Sequence, residues 1–220
     1  MKIFTITALS LMFTLLFGTD VFSQSWSTYN SKNNPRAQGV TLSVDYPSDY
    51  QLGLDSPNQI IAYFVSSDYY SNVAKILQIM IVGDPSAIED RATRESFEND
   101  DEYDLCSMPE SELRGSIFRL QGKNGLSINP NYQKKSVNGL CGIIYTGTIT
   151  FSQQGIPLYT VLDAFAFGYM NKTVRQSRYV LLTCNTTGLM AEKNIIQSVH
   201  LTDSNGLCNQ YFNSLQIYDR

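Results

Sequence analysis

Apolar and polar residues alternate in the first part of the chain in the way that is typical of β-strands with one buried face. Residues 40–46, which read VTLSVDY, follow this pattern, and the Pro-Ser-Asp sequence at 47–49 predicts the turn that ends the strand. Two β-branched runs come next, at residues 59–65 and 76–82, and a polar segment at 66–72 separates them. This arrangement predicts a β-hairpin.

The second half of the chain shows the strand pattern more clearly. Residues 143–151 place apolar side chains on one face and mainly threonine on the other. Residues 158–168 are apolar on both faces, which predicts a central strand covered on both sides. Residues 177–185 predict a third strand, and turn-forming residues at 152–155 and 171–173 join the three. We therefore predict a run of antiparallel strands.

Two helices are predicted outside these strands. Asp84 followed by Pro85 is a helix start, because the carboxylate caps free amide groups while proline fits the first turn. Residues 208–216 place apolar side chains at helical spacing and predict a C-terminal helix. Because a central strand with two apolar faces needs cover on both sides, the pattern predicts an α+β fold. Its antiparallel sheet would carry helices on both faces, as an α/β/α sandwich.

The N-terminus has the pattern of an export signal. Lys2 precedes an almost uninterrupted apolar run at residues 3–17, and small or β-branched residues follow, which predicts a signal peptide at residues 1–23. The run is shorter than the ~20 residues that span a bilayer, which disfavours a membrane anchor. Residues 24–38 are predicted to be a flexible leader and residues 39–220 a single domain. We therefore expect an exported protein, periplasmic or secreted, with no stable membrane anchor after cleavage.

Export changes the interpretation of the four cysteines, Cys106, Cys141, Cys184 and Cys208. In an oxidising compartment they favour two disulfides, and three pairings are possible. We predict Cys106–Cys141 and Cys184–Cys208, because each closes a short loop and the second joins a strand to the C-terminal helix. A metal site is the alternative, but the chain has no Cys-x-x-Cys pair and only one histidine.

The charge balance and the single histidine exclude several activities. With 16 basic and 20 acidic residues, a net charge of −4, the chain lacks the basic excess of nucleic-acid-binding proteins. His200 stands in a polar stretch, where we predict a solvated surface residue rather than a catalytic base. No nucleophile elbow, phosphate-binding loop or dinucleotide motif occurs in the sequence. We therefore predict no catalytic residue and no cofactor.

Two acidic features leave alternatives open. Asp163 is the one acid inside a strongly apolar strand. It is either a reactive carboxylate with a raised pKa or a hydrogen-bonded structural group, and we favour the second. The acidic run at residues 98–104 contains carboxylates of the kind that bind calcium, but it lacks the spacing and the glycine of a calcium loop. A solvated loop and no metal site are predicted there.

Tyrosines in predicted loops offer the best candidate for a binding surface. Exposed aromatic side chains of this type supply much of the contact area and energy of protein interfaces. The candidate binding rim consists of Tyr69, Tyr70, Tyr103 and Tyr132. It predicts that the partner is another protein.

Three short stretches carry a resemblance to a known fold. Residues 40–50, VTLSVDYPSDY, resemble the opening strand and turn of the PsbP-like (Mog-like) fold, which has exported bacterial members. Residues 179–182, YVLL, and residues 211–215, YFNSL, resemble the late strand and the final helix of that family. The resemblance implies an α+β fold whose members are assembly subunits, chaperones or binders of small proteins. It implies no catalytic residue.

These observations favour an exported, non-enzymatic, protein-binding domain of PsbP-like type. One narrower version is an immunity-type inhibitor of a cell-envelope toxin, which suits a small, acidic, disulfide-bearing exported chain. The alternatives of other classes are an envelope hydrolase that uses carboxylates such as Asp163 and a lipocalin-like barrel that binds a small ligand.

Overall fold

The computed structural model describes residues 24–53, 60–68, 72–81, 126–128, 133–171 and 176–218. The strands are β1 (Trp26–Asn30), β2 (Leu42–Pro47), β3 (Gln51–Gly53), β4 (Ile60–Asp68), β5 (Val73–Ile81), β6 (Leu126–Ile128), β7 (Gln133–Val137), β8 (Leu140–Gln153), β9 (Ile156–Asn171), β10 (Gln176–Leu189) and β11 (Gln216–Ile217). The helical elements are 3₁₀ turns at Pro35–Ala37 and Met190–Glu192, α1 (Lys193–Asp203), a π-helical turn (Ser204–Cys208) and α2 (Asn209–Asn213).

The main sheet confirms the predicted antiparallel strands. Its order is β3-β4-β5-β10-β9-β8-β6, with β7 also paired to β8, and every pairing is antiparallel. The predicted hairpin is present as β4 and β5, and β9 lies between β10 and β8 as the predicted central strand. In the described residues the path has free ends at β3 and β6, so these strands do not form the barrel that a lipocalin-like fold requires.

Two tight turns join consecutive strands of this sheet. Asn138 and Gly139 connect β7 to β8, and Gln154 and Gly155 connect β8 to β9. Both residues of each turn have positive φ, at 49° and 79° in the first turn and 52° and 81° in the second. Such turns match the twist of the strands they join, and they favour glycine because it has no Cβ.

The N-terminal segment differs from the prediction of a flexible leader. Trp26–Asn30 forms strand β1, which pairs with β2, and β11 pairs with the other edge of β2. Tyr29 and Tyr46 pack their rings against Phe64 of the main sheet, with centroid distances of 5.6 Å and 4.1 Å. The polar composition concealed this strand, because an edge strand needs few buried side chains. Residues 1–23 lie outside the described part of the chain, so the signal peptide stays a prediction.

The small sheet and the helices pack on the same side of the main sheet. We call it the helical face; it carries Val161, Asp163 and Phe165 of β9, and the groove face carries Thr160 and Leu162. The larger core cluster on the helical face includes Leu42, Phe64, Leu77, Phe165, Phe167, Leu182, Tyr211 and Phe212. Burial of each such side chain contributes roughly 1.5–3 kcal/mol, so this interface contributes strongly to the stability of the fold.

The predicted α+β class is correct, but the C-terminal helical segment is longer than predicted and helices on both faces are not seen among the described residues. The C-terminal helix was predicted over residues 208–216, whereas a continuous helical segment runs from Lys193 to Asn213 and residues 216–217 form a strand. The described residues place helix on one face only, so the α+β class is confirmed and helices on both faces are not. The helix predicted from Asp84 and Pro85 lies outside the described residues.

Candidate functional site

A buried polar cluster lies between the main sheet and α1. Asp163 of β9 is 5% exposed and His200 of α1 is 3% exposed. Thr146 Oγ1 donates a hydrogen bond to Asp163 Oδ1 at 2.8 Å, and Ser204 Oγ donates one to Asp163 Oδ2 at 2.5 Å. His200 Nε2 lies 3.5 Å from Asp163 Oδ1, and His200 Nδ1 lies 2.9 Å from Thr186 Oγ1. We call these five residues the Asp163 cluster.

The burial of His200 overturns the prediction of a solvated histidine. His200 follows Ile196 by one helical turn, and these two are the buried residues of α1. The apolar residues Ile195 and Leu201 point outward instead, at 51% and 68% exposure. The pattern of apolar residues did not predict this helix. The helix buries the polar His200, which has partners on the sheet, and exposes the apolar Ile195 and Leu201.

The pKa of Asp163 is lowered, contrary to the raised pKa of the reactive alternative. Burial acts to raise the pKa of this carboxyl. The close contact with His200, the hydrogen bond from Ser204, the positive charge that His200 carries when protonated, and the hydrogen bond from Thr146 act in the opposite direction and outweigh burial. The geometry matches the favoured prediction of a hydrogen-bonded structural carboxylate.

The connections in the Asp163 cluster differ from those of a nucleophilic triad. In a triad the hydroxyl group bonds the histidine and the histidine is oriented by the acid. Here Ser204 bonds the acid directly, and Thr186, which contacts the histidine, is 1% exposed. The arrangement gives both carboxylate oxygens of Asp163 a hydrogen bond, whereas His200 Nε2 makes only the 3.5 Å contact with Asp163. It fastens α1 and the π-helical turn to β8, β9 and β10.

A disulfide reinforces the same junction. The predicted Cys184–Cys208 bond is present and joins β10 to the end of the π-helical turn, with both residues buried. The turn therefore has one anchor at each end, Ser204 on Asp163 and Cys208 on Cys184. Cys141 is also disulfide-bonded, and Cys106, its predicted partner, lies outside the described residues.

The opposite side of the sheet carries an open groove. It has a volume of about 660 Å³ and crosses one end of β5, β10, β9 and β8. We define the open groove by Ile76, Ile149, Phe151, Leu158, Thr187 and Leu189. Of these residues, Ile76, Phe151, Leu158 and Leu189 form its apolar walls. Phe151 and Leu189 are 41% and 39% exposed at the rim.

Hydroxyl and amide groups form the floor of the open groove. The Thr160 and Thr187 hydroxyls, which lie opposite each other on β9 and β10, are 2.8 Å apart. Asn185 Nδ2 donates a hydrogen bond to Gln78 Oε1 at 3.1 Å. Asn185 Oδ1 is buried and has no hydrogen-bond partner among the described residues. Among the described residues, none of the side chains that line the groove is charged.

The open groove was not predicted from the sequence, although the distribution of charged residues gives one indication of it. No charged residue occurs between Lys135 and Asp163, the part of the chain that forms β8 and the first half of β9. The alternation within each strand was read correctly. The pairing of four strands that assembles the groove could not be read from it.

The other sequence-predicted sites lie outside the described residues. These are the binding rim of Tyr69, Tyr70, Tyr103 and Tyr132 and the acidic run at residues 98–104. Over the described ranges, no group of three or more His, Cys, Asp or Glu side chains could hold a metal ion. In the same ranges, no helix is long and apolar enough to cross a membrane.

The fold and the site together define an α+β protein with an antiparallel main sheet, a sealed polar cluster on one face and an uncharged groove on the other. No protein-family model matches the chain, and no curated protein matches it. Among solved structures, the chain is similar to LpqN, which is involved in cell envelope biogenesis of Mycobacterium tuberculosis, with 11% identity and a TM-score of 0.40. That similarity covers 87% of this chain and 91% of LpqN.

Proposed function

We propose that this protein is an exported, non-enzymatic binding domain that receives a partner protein in the open groove. The observation that carries the proposal is the composition of the groove, with apolar walls, a floor of hydroxyl and amide groups and no charge. Pockets for small ligands typically have this character, mainly apolar with a few placed polar groups, and volumes of about 300–1,000 Å³. Grooves that bind a segment of a partner protein likewise combine apolar pockets with hydrogen-bonding groups.

The Asp163 cluster supports a non-catalytic role. A general acid or base must reach the atom that it protonates or deprotonates. Asp163, His200 and Thr186 are each at most 5% exposed, and their polar atoms face one another beneath α1. In this arrangement the most reactive groups of the described chain stabilise the fold.

The Cys184–Cys208 disulfide supports export. Stable disulfides persist in extracellular and periplasmic compartments and are rare in a reducing cytosol. The apolar run at residues 3–17 supplies the matching signal in the sequence. Both features agree with a binding role outside the cytosol.

Chemical cross-linking in intact cells of the native host tests the proposed function. The full-length chain carries a C-terminal tag, and its cross-linked partners are quantified for three forms: wild type, Phe151→Arg and Thr150→Arg. Phe151 lies on the rim, whereas Thr150 is its exposed neighbour, whose side chain points to the helical face. We expect one protein partner to be recovered with wild type and Thr150→Arg and lost with Phe151→Arg.

Equal recovery of every partner with all three forms, or no partner at all, would contradict the proposal. The hydrolase alternative makes a different prediction. If the protein hydrolyses envelope material and Asp163→Asn abolishes that activity while the variant remains folded, the non-enzymatic assignment is wrong.

A further inference from the structure

We propose that the occupant of the open groove is an extended, uncharged segment of a peptide chain, held through its backbone amides. This inference rests on the proposed function, because it specifies which part of the partner enters the groove and how it is recognised.

The dimensions of the groove suit a short extended segment. Its floor follows the row Ala74, Thr187, Thr160 and Ile149, one residue from each of four neighbouring strands. Four strands are three spacings apart, about 14 Å at roughly 4.8 Å per spacing. An extended chain rises about 3.4 Å per residue, so about four peptide residues would cross the row.

The floor has the hydrogen-bonding groups that a peptide backbone needs. In an extended chain the N–H and C=O of one residue point to the same side, and those of the next residue point to the opposite side. A segment whose side chains lie parallel to the sheet therefore directs the amide and the carbonyl of every second residue at the floor. The hydroxyls of Thr160 and Thr187 bond each other, and the partly exposed Thr187 hydroxyl can make a further hydrogen bond to an occupant. Asn185 Oδ1 adds a buried acceptor that lacks a partner among the described residues.

The walls suit apolar side chains on both sides of such a backbone. Leu189, Leu158 and Phe151 form one neighbouring row, and Ile76 lies on the other side of the floor. A charged side chain would lose its hydration against these walls with no opposite charge to pair with.

An alkyl chain fits the groove less well than a peptide does. It would cover the partly exposed hydroxyl of Thr187 and the Asn185 carboxamide without offering either group a hydrogen-bond partner. Leaving buried polar groups unpaired costs more than the hydrogen bond itself contributes. The floor thus favours an occupant that carries its own donors and acceptors.

A peptide library tests this inference on the purified, oxidised, full-length protein. The probe is a randomised set of octapeptides with both ends capped, made once without Asp, Glu, Lys and Arg and once with them. We expect the immobilised protein to enrich peptides from the uncharged set, with apolar residues at alternate positions. A peptide so selected should bind about tenfold more weakly to Phe151→Arg and equally well to Thr150→Arg.

A second variant tests the role of the floor without blocking the groove. Thr187→Val preserves the shape of the side chain and removes its hydroxyl, so the selected peptide should bind about threefold to tenfold more weakly. Thermal unfolding of each variant checks that its fold is intact. Equal binding by wild type, Phe151→Arg and Thr187→Val would overturn the inference.

Other outcomes separate this inference from the proposed function. The inference fails if neither library is enriched, if charged peptides bind equally well, or if 1-decanol binds in the groove while no peptide does. The proposed function survives each of these results as long as the cross-linked partner depends on Phe151. Selected peptides that bind in the groove when no cellular partner is recovered would support the inference and count against the proposed function.

Discussion

The two faces of the main sheet carry polar groups in opposite settings, although the same strands supply both. Strand β9 places Asp163 under α1 and Thr160 in the open groove. Strand β10 places Thr186 against His200 and Thr187 in the groove. The charged Asp163 lies on the helical face, where both of its carboxylate oxygens have partners, and the described polar side chains that line the open groove are neutral.

The polar residues of the two faces therefore differ in accessibility. Under α1 the polar atoms are deeply buried and their partners are other protein groups. In the groove Thr160 is also buried, but Thr187 and Asn185 are partly exposed. Three variants and one change of pH test whether the polar groups of the two faces have these different roles.

Replacing Asp163 with Ala should cause the largest loss. Removal of one member of a buried polar pair leaves the other without compensation, and such changes cost about 3–5 kcal/mol in unfolding free energy. Urea unfolding monitored by circular dichroism measures the effect. Asp45→Ala is the matched control, because Asp45 also accepts a hydrogen bond, from Thr28 at 2.6 Å, but at an exposed position. We expect a loss of about 1 kcal/mol there, and equal losses for the two variants would refute a structural role for the cluster.

Removing the Cys184–Cys208 disulfide should have the next largest effect. The double variant Cys184→Ala/Cys208→Ala frees the π-helical turn from β10 and increases the freedom of the unfolded chain, which should cost about 2–4 kcal/mol. Thermal unfolding measures this loss. Because the disulfide lies on the helical face, binding of a selected peptide to the folded fraction should persist. Loss of that binding at temperatures where the variant is folded would show that the two faces are coupled.

Acid should weaken the helical face before it affects the groove. The pKa of Asp163 is lower in the folded protein than in the unfolded chain. Its contribution to stability is therefore fully present above the unfolded pKa and is lost as the pH falls through the folded value. The difference in melting temperature between wild type and Asp163→Asn should shrink as the pH is lowered below the ordinary range of an aspartate. A difference that stays constant with pH would show that the ionised carboxylate is not the stabilising form.

Substitutions on the rim of the groove should have the smallest effect on stability. Phe151→Arg changes a partly exposed side chain, so the unfolding free energy should stay within about 0.5 kcal/mol of wild type. Thr150→Arg, on the same strand and pointing to the other face, should behave in the same way. A much larger loss for Phe151→Arg in urea unfolding would mean that the groove wall is part of the core and not a free surface.

Strand periodicity predicted more of this fold than helical periodicity did. The alternation in residues 143–151 and the two apolar faces of residues 158–168 identified β8 and the central strand β9, because the side-chain period of a strand is local. Helix α1 was missed, since its buried residues are Ile196 and His200 while Leu201 is exposed. Its position depends on partners that are distant in the sequence.

The disulfide and the Asp163 cluster show the same difference between features that are local in sequence and features that depend on distant contacts. The Cys184–Cys208 bond was predictable because export and spacing restrict the possible pairings. The partners of Asp163 were not predictable, since Thr146, His200 and Ser204 come from three different elements. The predicted tyrosine rim lies outside the described residues and stays a prediction.

The antiparallel strands, the α+β class, one disulfide and the uncharged stretch that contributes to the groove all have signals in the sequence. These signals are local periodicity, residue chemistry and charge, which can be followed along the chain. The position of Asp163 and His200 under α1 and that of Thr187 in the groove emerge only from the packing of the folded chain. Burial and hydrogen-bond partners arise from strand pairing and helix packing between residues far apart in sequence, so the same kind of polar residue becomes a structural anchor on one face and a candidate binding group on the other.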